Sequence, residues 1–92
     1  MMLYLNTQFS EGETRILAQF TQRHNMELSI VYAVDRDSIK GVDNPRRMIA
    51  VGGLYLCESA DEPLTWYMGD QMMGQYGFWG NYGNLLDALE GL

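Results

Sequence analysis

The chain has a single histidine, His24, and a single cysteine, Cys57. Side by side they could form a thiolate–imidazolium pair for nucleophilic catalysis. That chemistry also needs an orienting third group and a recognisable spacing, and neither accompanies these two residues. His24 falls near the end of a helical stretch, where the dipole favours the protonated ring. Cys57 closes an apolar run, where a buried thiol is inert. Asp35, Asp37 and Asp43 around Gly41 sketch a calcium loop. An EF-hand starting at Asp35, however, would need an oxygen ligand where Ile39 stands and glycine where Lys40 stands, with glutamate at its twelfth place. One cysteine and one histidine do not make a zinc set. Gly74, Gly77, Gly80 and Gly83 are spaced like a phosphate loop, but no lysine follows and the strand–loop–helix order is missing. The chain therefore reads as non-enzymatic, with no cofactor or metal expected.

Charge is the feature that remains. Residues 1–47 hold six acids and all six bases, whereas residues 48–92 hold six acids and no base, so the net charge of -6 sits on the second half. That half also carries both tryptophans, four of six tyrosines and eight of ten glycines. Phosphate contacts need clustered Lys and Arg, and the only adjacent pair is Arg46-Arg47, so free nucleic acid is not an expected ligand. Anionic membrane surfaces are excluded on the same ground. A basic protein or ribonucleoprotein is the partner that this balance favours.

The candidate contact residues follow from placement. Asp61 and Glu62 fall at a hairpin tip, Asp70 ends a strand, and Tyr76 and Trp79 lie in an aromatic segment. Asp87 and Glu90 project together from a terminal helix whose other face is Leu85, Leu86 and Leu89. Like charges at that spacing, with Glu90 at the negative end of the dipole, are mildly unfavourable. With nothing local to offset them, they fit a face kept for a partner. The competing readings are plain: carboxylates confer solubility, and most rings fill a small core.

The elements that must position these residues read as one domain, residues 1–92. Residues 1–8 alternate as a strand, and the same residues lack the basic and apolar regions of a signal peptide. Ser10 with Glu13 is a capping box that opens a helix at Glu11, and Asn25 is suited to end it. Leu28 to Val34 predicts a second strand. Residues 35–47 predict a long exposed loop. Met48 to Cys57 predicts a third strand with a bulge or bend at Gly52-Gly53, residues 58–63 a turn, and 64–68 a fourth strand pairing back. Three x-aromatic-Gly triplets over 75–83 predict an irregular segment, because glycine at every third position disfavours a helix. Asn84 with Asp87 caps a helix from Leu85 to Glu90. The expected fold is α+β: a mainly antiparallel four-stranded sheet with a long N-terminal and a short C-terminal helix. No stretch reaches the ~18 apolar residues that span a bilayer. The lone cysteine suits a reducing, cytoplasmic setting.

In size, acidity and single-domain build, the whole chain resembles the small phage-encoded inhibitors of host defence, anti-CRISPR proteins foremost. The resemblance carries over no residue, because it rests on character rather than a motif. It implies a non-catalytic inhibitor that binds a CRISPR effector and blocks target DNA or nuclease recruitment, with carboxylates standing in for phosphates as a DNA mimic. A second, local likeness covers Tyr82-Gly83-Asn84-Leu85-Leu86-Asp87-Ala88-Leu89. It is similar to the helix start of barstar-type ribonuclease inhibitors, but has Leu85 where that family has asparagine and lies at the other end of the chain. The alternative class is a structural subunit or homodimer with an aromatic interface. Salt separates the two, since only the electrostatic contact weakens steeply with ionic strength.

Overall fold

The computed structural model describes all residues, 1–92. The elements, in chain order, are β1 (Met2–Tyr4), α1 (Glu11–His24), β2 (Leu28–Val31), β3 (Ala33–Asp35), a 3-10 turn (Arg36–Ser38), β4 (Ile39–Lys40), β5 (Pro45–Val51), β6 (Leu54–Ser59), β7 (Trp66–Met72), β8 (Gln75–Tyr82) and α2 (Leu85–Glu90). The fold is α+β, but the sheet has six strands in the order β2-β5-β6-β7-β8-β4, with β1 and β3 forming a separate ribbon. All neighbours run antiparallel except β4, which lies parallel to β8. The four-stranded sheet expected from sequence is therefore too small.

Three corrections account for the difference. Gly52 and Gly53 are not a bulge inside one strand. Both have positive φ, 58° and 89°, the turn geometry that joins two antiparallel strands through two residues. The predicted third strand is thus the hairpin β5–β6, with Val51 opposite Leu54. The triplet segment is not irregular either: it is β8, the longest strand, paired with β7 from Trp66↔Tyr82 to Met72↔Gln75. Finally, the predicted 35–47 loop contains the 3-10 turn and β4, and Val42 within it is buried. The run 28–34 also splits at Tyr32, so that β2 joins the large sheet and β3 pairs with β1.

Both helices stand where their caps predict. Ser10 Oγ accepts the Glu13 N–H at 3.0 Å while Glu13 Oε1 accepts the Ser10 N–H at 2.8 Å. Asn25, at φ 52°, closes α1 by donating its N–H to Thr21 O. Strand alternation then sorts the core into two layers. On one face Ile49, Val51, Leu56, Trp66 and Met68 pack under Leu17 and Phe20 of α1 and Leu85, Ala88 and Leu89 of α2. On the other, Met48, Cys57 and Phe78 pack against Leu5, Val34 and Val42. Ala88 therefore completes the buried stripe of α2, while Leu86, expected on that stripe, is 45% exposed.

Candidate partner-binding surface

The site begins with a buried ion network on the helix-facing side of the sheet. Arg47, one β5 pleat from Ile49, points toward α1. Its Nε donates to Glu58 Oε1 at 2.8 Å and its Nη2 to Glu58 Oε2 at 2.9 Å. Nη1 and Nη2 reach Glu13 Oε1 and Oε2 at 2.9 and 2.8 Å, and Nη1 also meets Gln8 O at 3.1 Å. Those five bonds match the five donors of a guanidinium. The Arg47 Cζ lies 4.6 Å from the Phe9 ring centroid and 5.2 Å from that of Trp66, within cation–π reach. Glu58 is 0% exposed. Its Oε1 also accepts Arg46 Nη1 at 2.9 Å, and its Oε2 accepts the Leu64 N–H at 3.2 Å.

Protonation follows from this geometry. The Arg47 hydrogen bonds hold Glu13 down to about 2 from its ordinary 4.5, against the opposing effect of burial. Burial would raise Glu58, yet the bonds and charge of Arg47, with the Leu64 amide, hold it below its ordinary value. The hydrogen bonds that Arg47 donates to Glu58, and then to Glu13, raise the arginine in turn, although burial opposes it. Both acids and the arginine are charged at neutral pH. A buried pair of this kind stays ionised only when every lone pair and proton is met, as here.

The network braces the β6–β7 tip. The Ala60 N–H donates to Asn44 O at 2.8 Å, and Ser59 Oγ donates to Asp43 O at 2.6 Å. Asn44 Nδ2 donates to Asp61 Oδ2 at 2.7 Å. Tyr67 Oη donates to Glu62 Oε1 at 2.8 Å, and that bond raises the tyrosine above its ordinary pKa. Leu64 completes the tip at φ 74°, a left-handed conformation that costs a leucine on the order of 1–2 kcal/mol. Its side chain is 64% exposed, and the bond from its N–H to Glu58 holds it there. Across a groove of about 410 Å³ from it stand Leu86 and Asp87, with Ile16, Trp66 and Leu85 among the other lining residues.

The residues singled out from sequence divide accordingly. Asp61 and Glu62 are exposed on the tip, and Asp87 is exposed across the groove. No arginine, lysine or histidine bridges any of the three, the chain's salt bridges lying elsewhere. Glu90 belongs to a different groove, which it lines with Arg23 and His24. Asp70 lies four residues along β7 from Trp66, in a cleft with Lys40 and the half-buried Tyr76. Tyr76 packs edge-to-face on Tyr55 at 5.0 Å. Trp79 is 63% exposed, but its triplet neighbour Phe78 is buried and Tyr82 half-buried. Asp87 also has the local capping role that its spacing from Asn84 predicts. It stands in the first turn of α2, its N–H donating to Asn84 Oδ1 at 2.8 Å and its Oδ2 accepting from Asn84 Nδ2 at 3.1 Å. That position is favourable to an acid. Leu64, Leu86 and Glu58 were missed altogether. The only advance signals were the Arg46-Arg47 pair, which needed counter-ions, and Pro63, which disfavours a regular strand just before Leu64.

Comparison with known proteins adds no relative: no family model matches the chain, and no curated protein or solved structure does either.

Proposed function

We propose that the protein is a non-catalytic inhibitor that docks its β6–β7 tip and the outer face of α2 on a basic surface of a larger protein. The observation that carries this reading is the pairing of two outward leucines, Leu64 and Leu86, with three carboxylates free of any bridging base, Asp61, Glu62 and Asp87. A strained residue persists where its surroundings over-determine it, and here a buried ion network holds an apolar side chain in water. Burying the two leucines against a partner removes apolar area from water and slows dissociation, and the acids supply steering and orientation.

The basic surface is of the kind that normally holds nucleic acid, with the tip carboxylates occupying phosphate positions. A CRISPR effector is the partner class toward which size, acidity and build direct the reading, through blocked target DNA or blocked nuclease recruitment. The other class considered, an aromatic oligomer contact, has only Trp79 fully outward among the triplet rings.

The deciding experiment titrates purified effector complexes with the protein and measures target DNA binding and nuclease recruitment at low and raised salt. Inhibition that weakens about tenfold or more with added salt, and that is lost in the Asp61→Lys/Glu62→Lys variant, supports the proposal. Inhibition unchanged by that variant, or no inhibition of any effector, overturns it.

A further inference from the structure

The large sheet ends differently on its two sides. At one edge β4 is two residues long, carries Lys40 and turns away at Gly41, so the edge is blunted. At the other edge β2, Leu28–Val31, has the sequence LSIV with no charge, proline or bulge, and pairs only with β5. The Gly52 N–H donates to Glu27 O at 3.2 Å. Antiparallel alternation then directs the backbone groups of Ser29 and Val31 toward β5 and those of Leu28 and Ile30 outward. No bond within the chain outside its regular helices and strands uses the Leu28 or Ile30 backbone. Beside this open edge runs a groove of about 450 Å³ between β2 and α1. The helix contributes Thr14, Leu17, Ala18 and Thr21, small residues apart from the leucine. Thr21 Oγ1 bonds back to Leu17 O at 2.9 Å, so the residue presents its methyl group. Ile30, 41% exposed, closes the other wall.

We infer that this edge is a self-association surface, its occupant β2 of a second copy of the same chain. An open backbone edge calls for an extended strand, and two features select this one. The groove lining includes no ionisable side chain, whereas the other three principal grooves include Glu13 and Asp87, Arg23, His24 and Glu90, or Lys40 and Asp70. Two chains of net charge -6 repel, so they meet most readily where neither presents charge. The edge is also self-complementary. A two-fold axis at Ser29 sets Leu28 of each copy opposite Ile30 of the other, and their outward N–H and C=O groups form four main-chain bonds. The sheets join into one of twelve strands, and the small face of α1 lets the two helices approach over the seam.

The test is sedimentation velocity over a range of concentrations, with amide hydrogen exchange on the same samples. The expected species is a dimer of about twice the 10.5 kDa chain. Protection of the Leu28 and Ile30 amides should rise with concentration while Ser29 and Val31 stay protected throughout. Ile30→Lys and Ile30→Pro should each weaken association at least about tenfold; proline is tolerated at an edge position whose N–H faces solvent. Trp79→Ala should leave association unchanged. Circular dichroism confirms that each variant is folded, and either Ile30 variant alone keeps the test decisive. A monomer at every concentration, a dimer insensitive to both Ile30 changes, or a monomer whose edge instead takes up a strand of another protein would overturn the inference.

Discussion

Arg47 of β5 grips Glu58 of β6 through two parallel bonds of 2.8 and 2.9 Å, while the same guanidinium holds Glu13 of α1 at 2.9 and 2.8 Å. One buried cation thus ties the start of the helix, the central hairpin and, through the Glu58–Leu64 bond, the exposed tip.

Breaking this pair leaves a charge buried without its partner, which costs about 3–5 kcal/mol. Glu58→Gln and Arg47→Met should each lower the urea midpoint sharply. An apolar double replacement, Arg47→Met with Glu58→Leu, should recover part of that loss, because the fully buried charge is gone while Glu13, whose side chain is 19% exposed, still loses its partner. Urea unfolding of the three variants checks this, and a double variant no better than the singles would refute it.

Acid should loosen the fold through the same groups. Glu13 has a folded-state pKa of about 2, below its ordinary 4.5. Its ionised form therefore contributes fully above about pH 4.5, and the contribution is lost as pH falls toward 2. Glu58 is shifted in the same direction and adds to the effect. The slope of unfolding free energy against pH should be steep across that window and much reduced in Glu13→Gln. A stability unchanged between pH 5 and pH 2.5 would contradict it.

Leu64→Gly should raise stability by about 1 kcal/mol, since glycine adopts positive φ without strain, although its greater freedom in the unfolded chain offsets part of the gain. The same change should weaken partner binding. Thermal unfolding and the inhibition titration together give opposite signs for one substitution.

Charge reversals on the acidic surface should separate by site. Asp61→Lys/Glu62→Lys should bind poorly with a melting temperature within a few degrees of the parent, as expected for surface positions. Asp87→Lys loses its place at the α2 cap as well, and should cost about 0.5–1 kcal/mol in stability. Glu90→Lys, in the Arg23–His24 groove, should leave binding intact.

Cys57 is a convenient reporter. Burial, reinforced by the Glu58 charge, pushes its thiol up to about 12. A disulfide reagent at pH 8 should label it only at the rate of unfolding. Rapid labelling of the folded protein would show the β6 core to be open.

Both helices were legible in the sequence because their signals are local: Ser10 with Glu13, and Asn84 with Asp87, each fix a start within four residues. The hairpin was not, because a glycine pair inside an apolar run serves a bulge and a two-residue turn equally well. The triplet glycines misled for a different reason. Glycine at every third place breaks helical periodicity but only weakens a strand. Nothing stands within 4 Å of where a Cβ would go at Gly77, Gly80 or Gly83, and pairing with β7 holds the segment extended. The close approaches fall on glycines outside the triplets, Gly41 against the Phe78 carbonyl and Gly69 against the Gly77 backbone. The Arg47–Glu58 contact depends on hairpin register, so it was invisible until Gly52-Gly53 was known to be a turn. The acidic surface was half legible: the Asp61–Glu62 tip follows from hairpin logic, whereas the separation of Asp70 and Glu90 from it depends on where the strands and α2 lie.

Because Glu13 and Arg47 lie before the chain's midpoint and Glu58 after it, the second half does not carry the counter-ion that its own buried carboxylate needs. A cut in the exposed Gly52-Gly53 turn would yield one piece with six acids and all six bases and one with six acids and no base, each incomplete alone, joined in shape and through the Arg47–Glu58 contact. The domain is in that sense a natural candidate for fragment complementation, with recovery of the fold reporting that two fused proteins have met.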